Sequence, residues 1–201
     1  MNHPLRCRCG HLQGSVSHPE AVNRGVCYCR DCQAYAHFLG RPGDILDAMG
    51  GTDVIATQPR YVSFAQGLDA LVCMSLTDKG MLRWYARCCN TPIGNTQRGA
   101  GMPFVGLVHS CLENSSTSME RSFGPVRMRV NIKHAKGQPQ GMPVSTFFSV
   151  LRFVVSLARA RLGGGDKHTP FFDVEKGTPI VPPQVLSHAE WERVMKAVES
   201  R

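Results

Sequence analysis

Residues 27–32 read CYCRDC, and this segment places three thiols within six residues. In an extended strand Cys27 and Cys29 would face the same side, and the spacing to Cys32 favours a turn whose backbone amides point at bound sulfur. Three ligands from one short segment leave a fourth coordination position open, as in catalytic or exchangeable zinc sites. The alternatives are a closed site that takes a fourth ligand from elsewhere and a metal-free cluster of reactive or oxidised thiols. The open metal site is the favoured hypothesis.

Two more cysteine motifs lie on either side of this segment. Residues 7–10 read CRCG, where Cys7 and Cys9 can share a strand face and form half of a metal site. Residues 87–94 read RCCNTPIG, and adjacent cysteines point to opposite faces of an extended chain. Only one of that pair is therefore expected to meet a given metal ion, and we predict that it is Cys89.

The cysteine count favours metal binding over disulfide bonding. The chain has nine cysteines in 201 residues, and it opens without the basic and apolar pattern of a secretory leader. A cytoplasmic, reducing compartment is therefore expected, with zinc as the cofactor. Cys73 and Cys111 lie in apolar segments and are predicted to be small core residues. His11 and His109 are the histidines to examine as an additional ligand.

The composition predicts a mainly β protein. Hydrophobic residues make up 42% of the chain and charged residues 19%, which excludes an intrinsically disordered protein. The 20 glycines and 13 prolines argue against a helical bundle. Residues 1–112 hold every cysteine and consist of short apolar runs separated by turn residues, which is typical of antiparallel sheets. We predict a zinc-binding β domain over residues 1–140.

The remaining residues, 141–201, are predicted to form a helical extension packed on that domain. One helix should begin at Ser145 or Thr146 and end near Leu162, before three glycines. Ser187 and Glu190 form the pattern of a capping box that opens a second helix over residues 188–198.

The first of these helices is predicted to be amphipathic. Its arginines should be exposed and an apolar face buried, the arginines being Arg152, Arg159 and Arg161 and the apolar residues Phe148, Leu151 and Val155. The same arginines interrupt the longest apolar stretch, so no membrane span is expected.

The positive charge is concentrated in the middle of the chain. The formal net charge is +8, and residues 120–167 carry nine Lys/Arg against two Asp/Glu. Such a segment can bind nucleic acid, a membrane surface or an anionic small molecule. Residues 121–136 nevertheless alternate basic and apolar side chains, which favours an amphipathic strand with a solvated basic face. Nucleic acid is therefore a possible partner but not the favoured one.

The series CRCG, CYCRDC and RWYARCCNTPIG (residues 83–94) resembles the family of the glutathione-dependent formaldehyde-activating enzyme (Gfa) and centromere protein V. The matching motifs span residues 7–94. The resemblance implies a β-tent fold, in which antiparallel sheets surround a structural zinc ion and a second, reactive zinc ion. It assigns Cys7, Cys9 and Cys89 to the structural ion, and Cys27, Cys29 and Cys32 to the reactive one.

One position departs from the family pattern. Ala86 stands where the family has the first cysteine of a CxxC pair, which leaves three matched structural ligands. Those three thiols are expected to converge but to hold a metal ion less firmly than a complete four-cysteine site, or not at all, unless Cys88, after a local change of backbone, or a histidine replaces the missing ligand. On this reading Ala86→Cys should increase metal retention.

The chemistry of the triplet favours exchange of sulfur ligands. Three thiolates make zinc a weaker Lewis acid than three histidines do, so hydrolysis is not the expected reaction. The resemblance implies a carbon–sulfur lyase that acts on an adduct of glutathione or another small thiol, with Cys27, Cys29 and Cys32 as catalytic ligands. Arg30 can pair with a substrate carboxylate, or it is a solvated surface charge. The alternative function is a non-catalytic, zinc-stabilised binding module whose basic surface engages nucleic acid or an acidic partner.

Overall fold

The computed structural model describes residues 2–113, 118–139, 145–162 and 168–200, and these are mainly β. The strands are β1 (His3–Arg6), β2 (Gln13–Val16), β3 (Asn23–Cys27), β4 (Thr52–Thr57), β5 (Val62–Gln66), β6 (Leu71–Ser75), β7 (Leu82–Ala86), β8 (Thr91–Thr96), β9 (Val105–Val108), β10 (Met128–Val130), β11 (Phe172–Asp173), β12 (Thr178–Pro179) and β13 (Gln184–Val185). The helices are α1 (Arg30–Phe38), α2 (Pro42–Ile45), α3 (Met119–Phe123), α4 (Ser145–Leu162) and α5 (His188–Glu199). The prediction of a mainly β protein with C-terminal helices is confirmed.

The strands form one large sheet and two small ones. The large sheet has the order β10-β3-β4-β9-β8-β7-β6-β13, and its six inner strands are antiparallel. The edge strands β10 and β13 join it in parallel, so the sheet is mixed. A three-stranded antiparallel sheet has the order β1-β2-β5, and β11 pairs with β12.

Strand β7 lies between two hydrophobic clusters and divides its side chains between them. Leu82, Trp84 and Ala86 are fully buried in the cluster that also contains Leu5 and Val62 of the three-stranded sheet. Alternate residues of a strand face opposite sides, which turns Arg83 away from this cluster. A cation is thereby placed on the helix-covered side of the sheet.

Helices α1 and α5 cover that second side. Residues of both helices, among them Tyr35 and Val194, share a buried cluster with Met74 of β6. The Tyr35 hydroxyl donates a hydrogen bond to the Trp84 carbonyl at 3.0 Å, which fixes α1 against β7. The first turn of α1 is therefore held next to Arg83.

The two predicted C-terminal helices are present, but the predicted burial of α4 is wrong. Phe148, Leu151 and Val155 are 67%, 50% and 39% exposed. The helix turns Phe153 and Ala160, seven residues apart, toward the rest of the chain, so its buried stripe is rotated from the predicted one. Arg159 and Arg161 are exposed as predicted, whereas the side chain of Arg152 lies outside the described residues.

The basic segment is also less regular than predicted. Within residues 121–136 only Met128–Val130 forms a strand, and Ile132 is 51% exposed. The domain boundary at residue 140 stays a prediction, and β13 from the C-terminal part adjoins β6 of the large sheet. No helix among the described residues has the length and apolar character needed to cross a bilayer.

Candidate metal centres

The first candidate centre is the cysteine triad of residues 27, 29 and 32. Cys27 is the last residue of β3, Cys29 is the N-cap of α1, and Cys32 lies in the first turn of that helix. Their Sγ atoms all lie within 4.8 Å of one another. Sulfurs that share a tetrahedral zinc ion are about 3.8 Å apart, as bonds of about 2.3 Å require, so the triad fits this ion after small side-chain adjustments.

The strand-to-helix junction builds the triad. The sequence predicts Cys29 on a strand face, but β3 ends at Cys27 and Cys29 lies outside the strand. The Cys32 amide donates to the Cys29 Sγ at 3.3 Å, and the Asn131 amide group donates to the Cys27 Sγ at 3.6 Å. Amide donors and a helix N-terminus both stabilise thiolate charge.

The three thiols strongly affect one another's ionisation. Hydrogen bonds with Cys29 and Cys32 lower the pKa of the Cys27 thiol. The same contacts with Cys27 raise the pKa of Cys29 and of Cys32. The first thiolate therefore forms readily, whereas each further one is repelled by it unless a cation lies among the sulfurs.

Arg83 supplies fixed positive charge next to the triad. Its side chain is only 3% exposed, and it donates to the Cys32 Sγ at 3.9 Å and to the Asn95 side-chain oxygen at 3.2 Å. Its guanidinium also lies 3.8 Å from the Asp31 carboxylate and 5.3 Å from the centre of the Tyr35 ring. No sequence motif singles out Arg83 as a functional residue. The alternation of side chains in β7 is the available signal, because it places Arg83 on the face opposite Trp84.

The triad forms part of the wall of a cavity of about 260 Å³. The rest of the wall comes from strands β3, β4, β7, β8, β9 and β10, the loops beside them and helices α1 and α4. The residues lining the cavity are Gly25, Val26, Cys27, Cys29, Asp31, Cys32, Val54, Ala56, Met81, Arg83, Asn95, Phe104, Gly106, Met128, Val130, Asn131 and Phe153. Arg30 is not among them. Its side chain forms an ion pair with Glu199 of α5, and its predicted role toward a substrate carboxylate stays a prediction.

The second candidate centre contains four cysteines. Cys7, Cys9, Cys88 and Cys89 place their Sγ atoms within 4.8 Å of one another. The Sγ of Cys88 is 3.3 Å from that of Cys9 and 3.8 Å from that of Cys7. The convergence of Cys7, Cys9 and Cys89 was expected, but the expectation that only one of the adjacent pair would join them is wrong.

A turn explains why both adjacent cysteines take part. Residues 87–90 leave the extended conformation after β7, and Asn90 has a φ of 52° in the left-handed region. The alternation of a strand therefore does not apply to Cys88 and Cys89. Ala86 is fully buried at the end of β7, and Cys88 supplies the fourth sulfur instead.

The backbone around the four-cysteine cluster also suits sulfur ligands. The Leu12 amide donates to the Cys7 Sγ at 3.3 Å, across a turn in which Gly10 has a φ of 78°. Burial raises the pKa of Cys89, but hydrogen bonds with Thr91 and the neighbouring cysteines outweigh this effect and lower it to about 6. Four thiol donors without an intervening acid or amide ligand match a closed structural zinc site.

The other cysteines and histidines that the sequence singled out lie outside both clusters. Cys73 and Cys111 are buried in the hydrophobic core, as predicted, and burial raises the pKa of Cys73 to about 12. His11 pairs with Asp69 at 3.2 Å, and the His109 ring is hydrogen-bonded to a backbone carbonyl at 3.3 Å. Neither histidine completes a metal site.

Comparisons with known proteins give a family match and a distant structural likeness. The model described as "Family of unknown function (DUF6151)" matches residues 1–181. A search of curated proteins gives no match. A crystal structure of a Rhodobacter sphaeroides protein is 16% identical with a TM-score of 0.39, and the match covers 63% of this chain and 99% of that one. The family description names neither glutathione nor Gfa, so the resemblance to the Gfa family rests on the cysteine motifs alone.

Proposed function

We propose that this chain, which belongs to the DUF6151 family, binds Zn²⁺ at both cysteine clusters and is a carbon–sulfur lyase that acts on a small thiol adduct at the triad. The observation that carries the proposal is the position of the triad. Three sulfurs converge in the wall of a cavity, and no fourth cysteine, histidine or carboxylate of the described residues joins them. The β-tent arrangement implied by the cysteine motifs is part of this proposal.

The two clusters differ in the number of ligands that they offer. Cys7, Cys9, Cys88 and Cys89 would complete a tetrahedral site and hold the β1–β2 and β7–β8 connections together. The triad would leave one coordination position for a ligand in the cavity. Zinc bound there would lower the pKa of an incoming thiol so that it binds as a thiolate at neutral pH.

The reaction is the cleavage or formation of a hemithioacetal. In cleavage the carbon–sulfur bond breaks, its electron pair moves to sulfur, and the hydroxyl group loses its proton as the carbonyl forms. Asp31 is the one carboxylate among the described residues of the cavity wall, and we assign it the role of accepting that proton. Arg83 acts as a positioning residue, because it lies between the Asp31 carboxylate and the Cys32 sulfur.

The test is the exchange rate between free and thiol-bound aldehyde. Zinc-loaded protein is added to formaldehyde with glutathione, and separately to formaldehyde with an uncharged thiol, and exchange is followed by NMR. We expect acceleration with at least one thiol, a loss of that acceleration in Cys29→Ser, and a fall of about 100-fold in Asp31→Asn. Asp69→Asn, at an exposed carboxylate near the other cluster, is the matched control.

Two negative results together would contradict the lyase proposal. If no thiol exchanges faster than in buffer and no thiol binds to the zinc-loaded protein, the lyase proposal is wrong. The alternative is then the non-catalytic binding module, supported by the exposed Arg121 and Lys133 of the basic segment. That function predicts duplex binding that weakens steeply as the salt concentration rises.

A further inference from the structure

The cavity beside the triad has walls that are mainly apolar. Val54, Met81 and Phe104 line it from the large sheet and the adjoining loops, and Phe153 of α4 lines it from the helix. The rings of Phe104 and Phe153 are in edge contact, with centroids 6.1 Å apart. Helix α4 thereby extends the apolar wall beyond the sheet.

The charged groups in this wall are already paired with each other. The described residues of the wall include one cation, Arg83, and one carboxylate, Asp31, whose charged atoms are 3.8 Å apart. The Arg83 guanidinium also donates to Asn95 and to Cys32 and is almost completely buried. An anionic ligand would have to compete with Asp31, Asn95 and Cys32 for the Arg83 guanidinium, and the Asp31 side chain, which is 61% exposed, would repel a carboxylate that approaches it.

Glutathione fits such a cavity poorly. It has carboxylates at both ends and an ammonium group, and an ion that enters an apolar site without a partner loses its hydration without compensation. An apolar group gains from the same transfer, because its contact surface leaves water. The cavity wall is therefore expected to bind uncharged thiols more tightly than charged ones.

We propose that the thiol bound at the triad is small, uncharged and apolar, with an alkyl or aryl group in the cavity, and that glutathione is excluded or binds much more weakly. The reaction is the same hemithioacetal cleavage, with an apolar thiol as the sulfur-containing product. This inference rests on the proposed function, since it names the substrate class of that site.

The test compares affinities of three thiols for zinc-loaded protein under anaerobic conditions. The probes are phenylmethanethiol, 2-mercaptoethanol and glutathione, measured by titration calorimetry. A cobalt-loaded sample, which gains a sulfur-to-metal absorption band when another thiolate coordinates, reports whether each thiol reaches the metal. We expect phenylmethanethiol to bind at least about 10-fold more tightly than glutathione, with 2-mercaptoethanol between them.

A cation introduced into the wall provides a second measurement. Met81→Lys places an ammonium group in the cavity, whereas Met102→Lys makes the same change at an exposed residue that does not line it. We expect Met81→Lys to weaken phenylmethanethiol binding about 10-fold and to leave glutathione binding unchanged or stronger. Met102→Lys should change neither. The zinc content of each variant shows whether the triad is intact. Phe104→Ala is measured in parallel as a variant that changes the shape of the wall but keeps it uncharged.

The outcomes separate the substrate class from the underlying function. Glutathione binding as tightly as phenylmethanethiol overturns the substrate class and leaves the lyase proposal in place. Equal effects of Met81→Lys on both thiols also overturn it, because the wall would then not select by charge. If no thiol coordinates the metal, both the substrate class and the proposed function are wrong.

Discussion

The four-cysteine cluster and the cysteine triad use the same donor atom in opposite settings. In the first, Cys9 and Cys88 are exposed, yet four sulfurs lie within 4.8 Å of one another, which is the full set of ligands for a tetrahedral ion. In the second, Cys32 is buried and three sulfurs form part of a cavity wall. Exposure alone therefore does not indicate which centre is reactive. The number of sulfurs and the space beside them are the better guide.

The groups that contact the sulfurs also differ between the two centres. The described surroundings of the triad include the buried guanidinium of Arg83 and the amide of Asn131, both of which point donors at ligand sulfurs. At the four-cysteine cluster the Leu12 amide and the Thr91 hydroxyl contact the sulfurs, and the Arg41 guanidinium donates to the Cys89 carbonyl rather than to a sulfur. Substitutions at the two centres should accordingly separate stability from ligand exchange.

The largest effect is expected from Cys88→Ser. Loss of the fourth sulfur should remove one metal ion per chain and lower the free energy of unfolding by several kcal/mol, on the order of 3 or more, since structural zinc contributes directly to folding. Metal analysis and thermal unfolding measure both effects. Cys73→Ala, at a buried cysteine outside both clusters, should keep both metal ions.

Ala86→Cys tests whether residue 86 or Cys88 belongs to the fourth position of the four-cysteine cluster. Since Cys88 already fills the fourth position and Ala86 is fully buried in the core, the added sulfur should not improve metal retention against a chelator. Overpacking should instead lower stability by about 1 kcal/mol or more. A variant with greater metal retention and a higher Tm would mean that residue 86, not Cys88, belongs to the site.

Cys29→Ser should affect thiol binding more than stability, whereas Cys88→Ser should affect stability more. The triad should lose its metal ion and all thiol binding, but the free energy of unfolding should change by only about 1 kcal/mol, because serine is also a good N-cap for α1. Metal content, thiol binding and Tm are measured on the same sample. A fall in Tm as large as that of Cys88→Ser would mean that the triad, too, is a structural site.

Arg83→Met should weaken metal binding at the triad about 10-fold while leaving the four-cysteine cluster unaffected. The substitution keeps a long side chain and removes the charge beside Cys32. Competition with a chromophoric chelator resolves the two sites if their affinities differ. Arg60→Met, at an exposed arginine, is the control, and equal zinc affinity in both variants would remove the positioning role of Arg83.

The smallest effect is expected from Arg30→Ala. Its ion pair with Glu199 has partners that are 42% and 66% exposed, so its loss should cost less than about 1 kcal/mol in stability. Thiol affinity should change less than about twofold if the ligand is uncharged. A selective loss of glutathione binding would instead confirm Arg30 as a carboxylate partner and weaken the case for an apolar ligand.

Features that depend on short-range spacing could be predicted from the sequence alone. The triad motif, the short strands and both C-terminal helices follow from residue types and periodicity, and Ser187 and Glu190 form the predicted capping box. Such features can be predicted because the interacting groups lie within a few residues of each other.

The groups that surround the candidate ligands depend on how distant parts of the chain pack together. Cys88 joins Cys7 across 81 positions of sequence because of a turn whose backbone no strand pattern describes. Arg83 reaches Cys32 only because α1 packs on β7, and Phe153 lines the cavity because the buried stripe of α4 is rotated from the one its apolar pattern favours. Each of these contacts depends on how distant elements pack, and the free energy of that packing is shared among many residues rather than encoded in one motif.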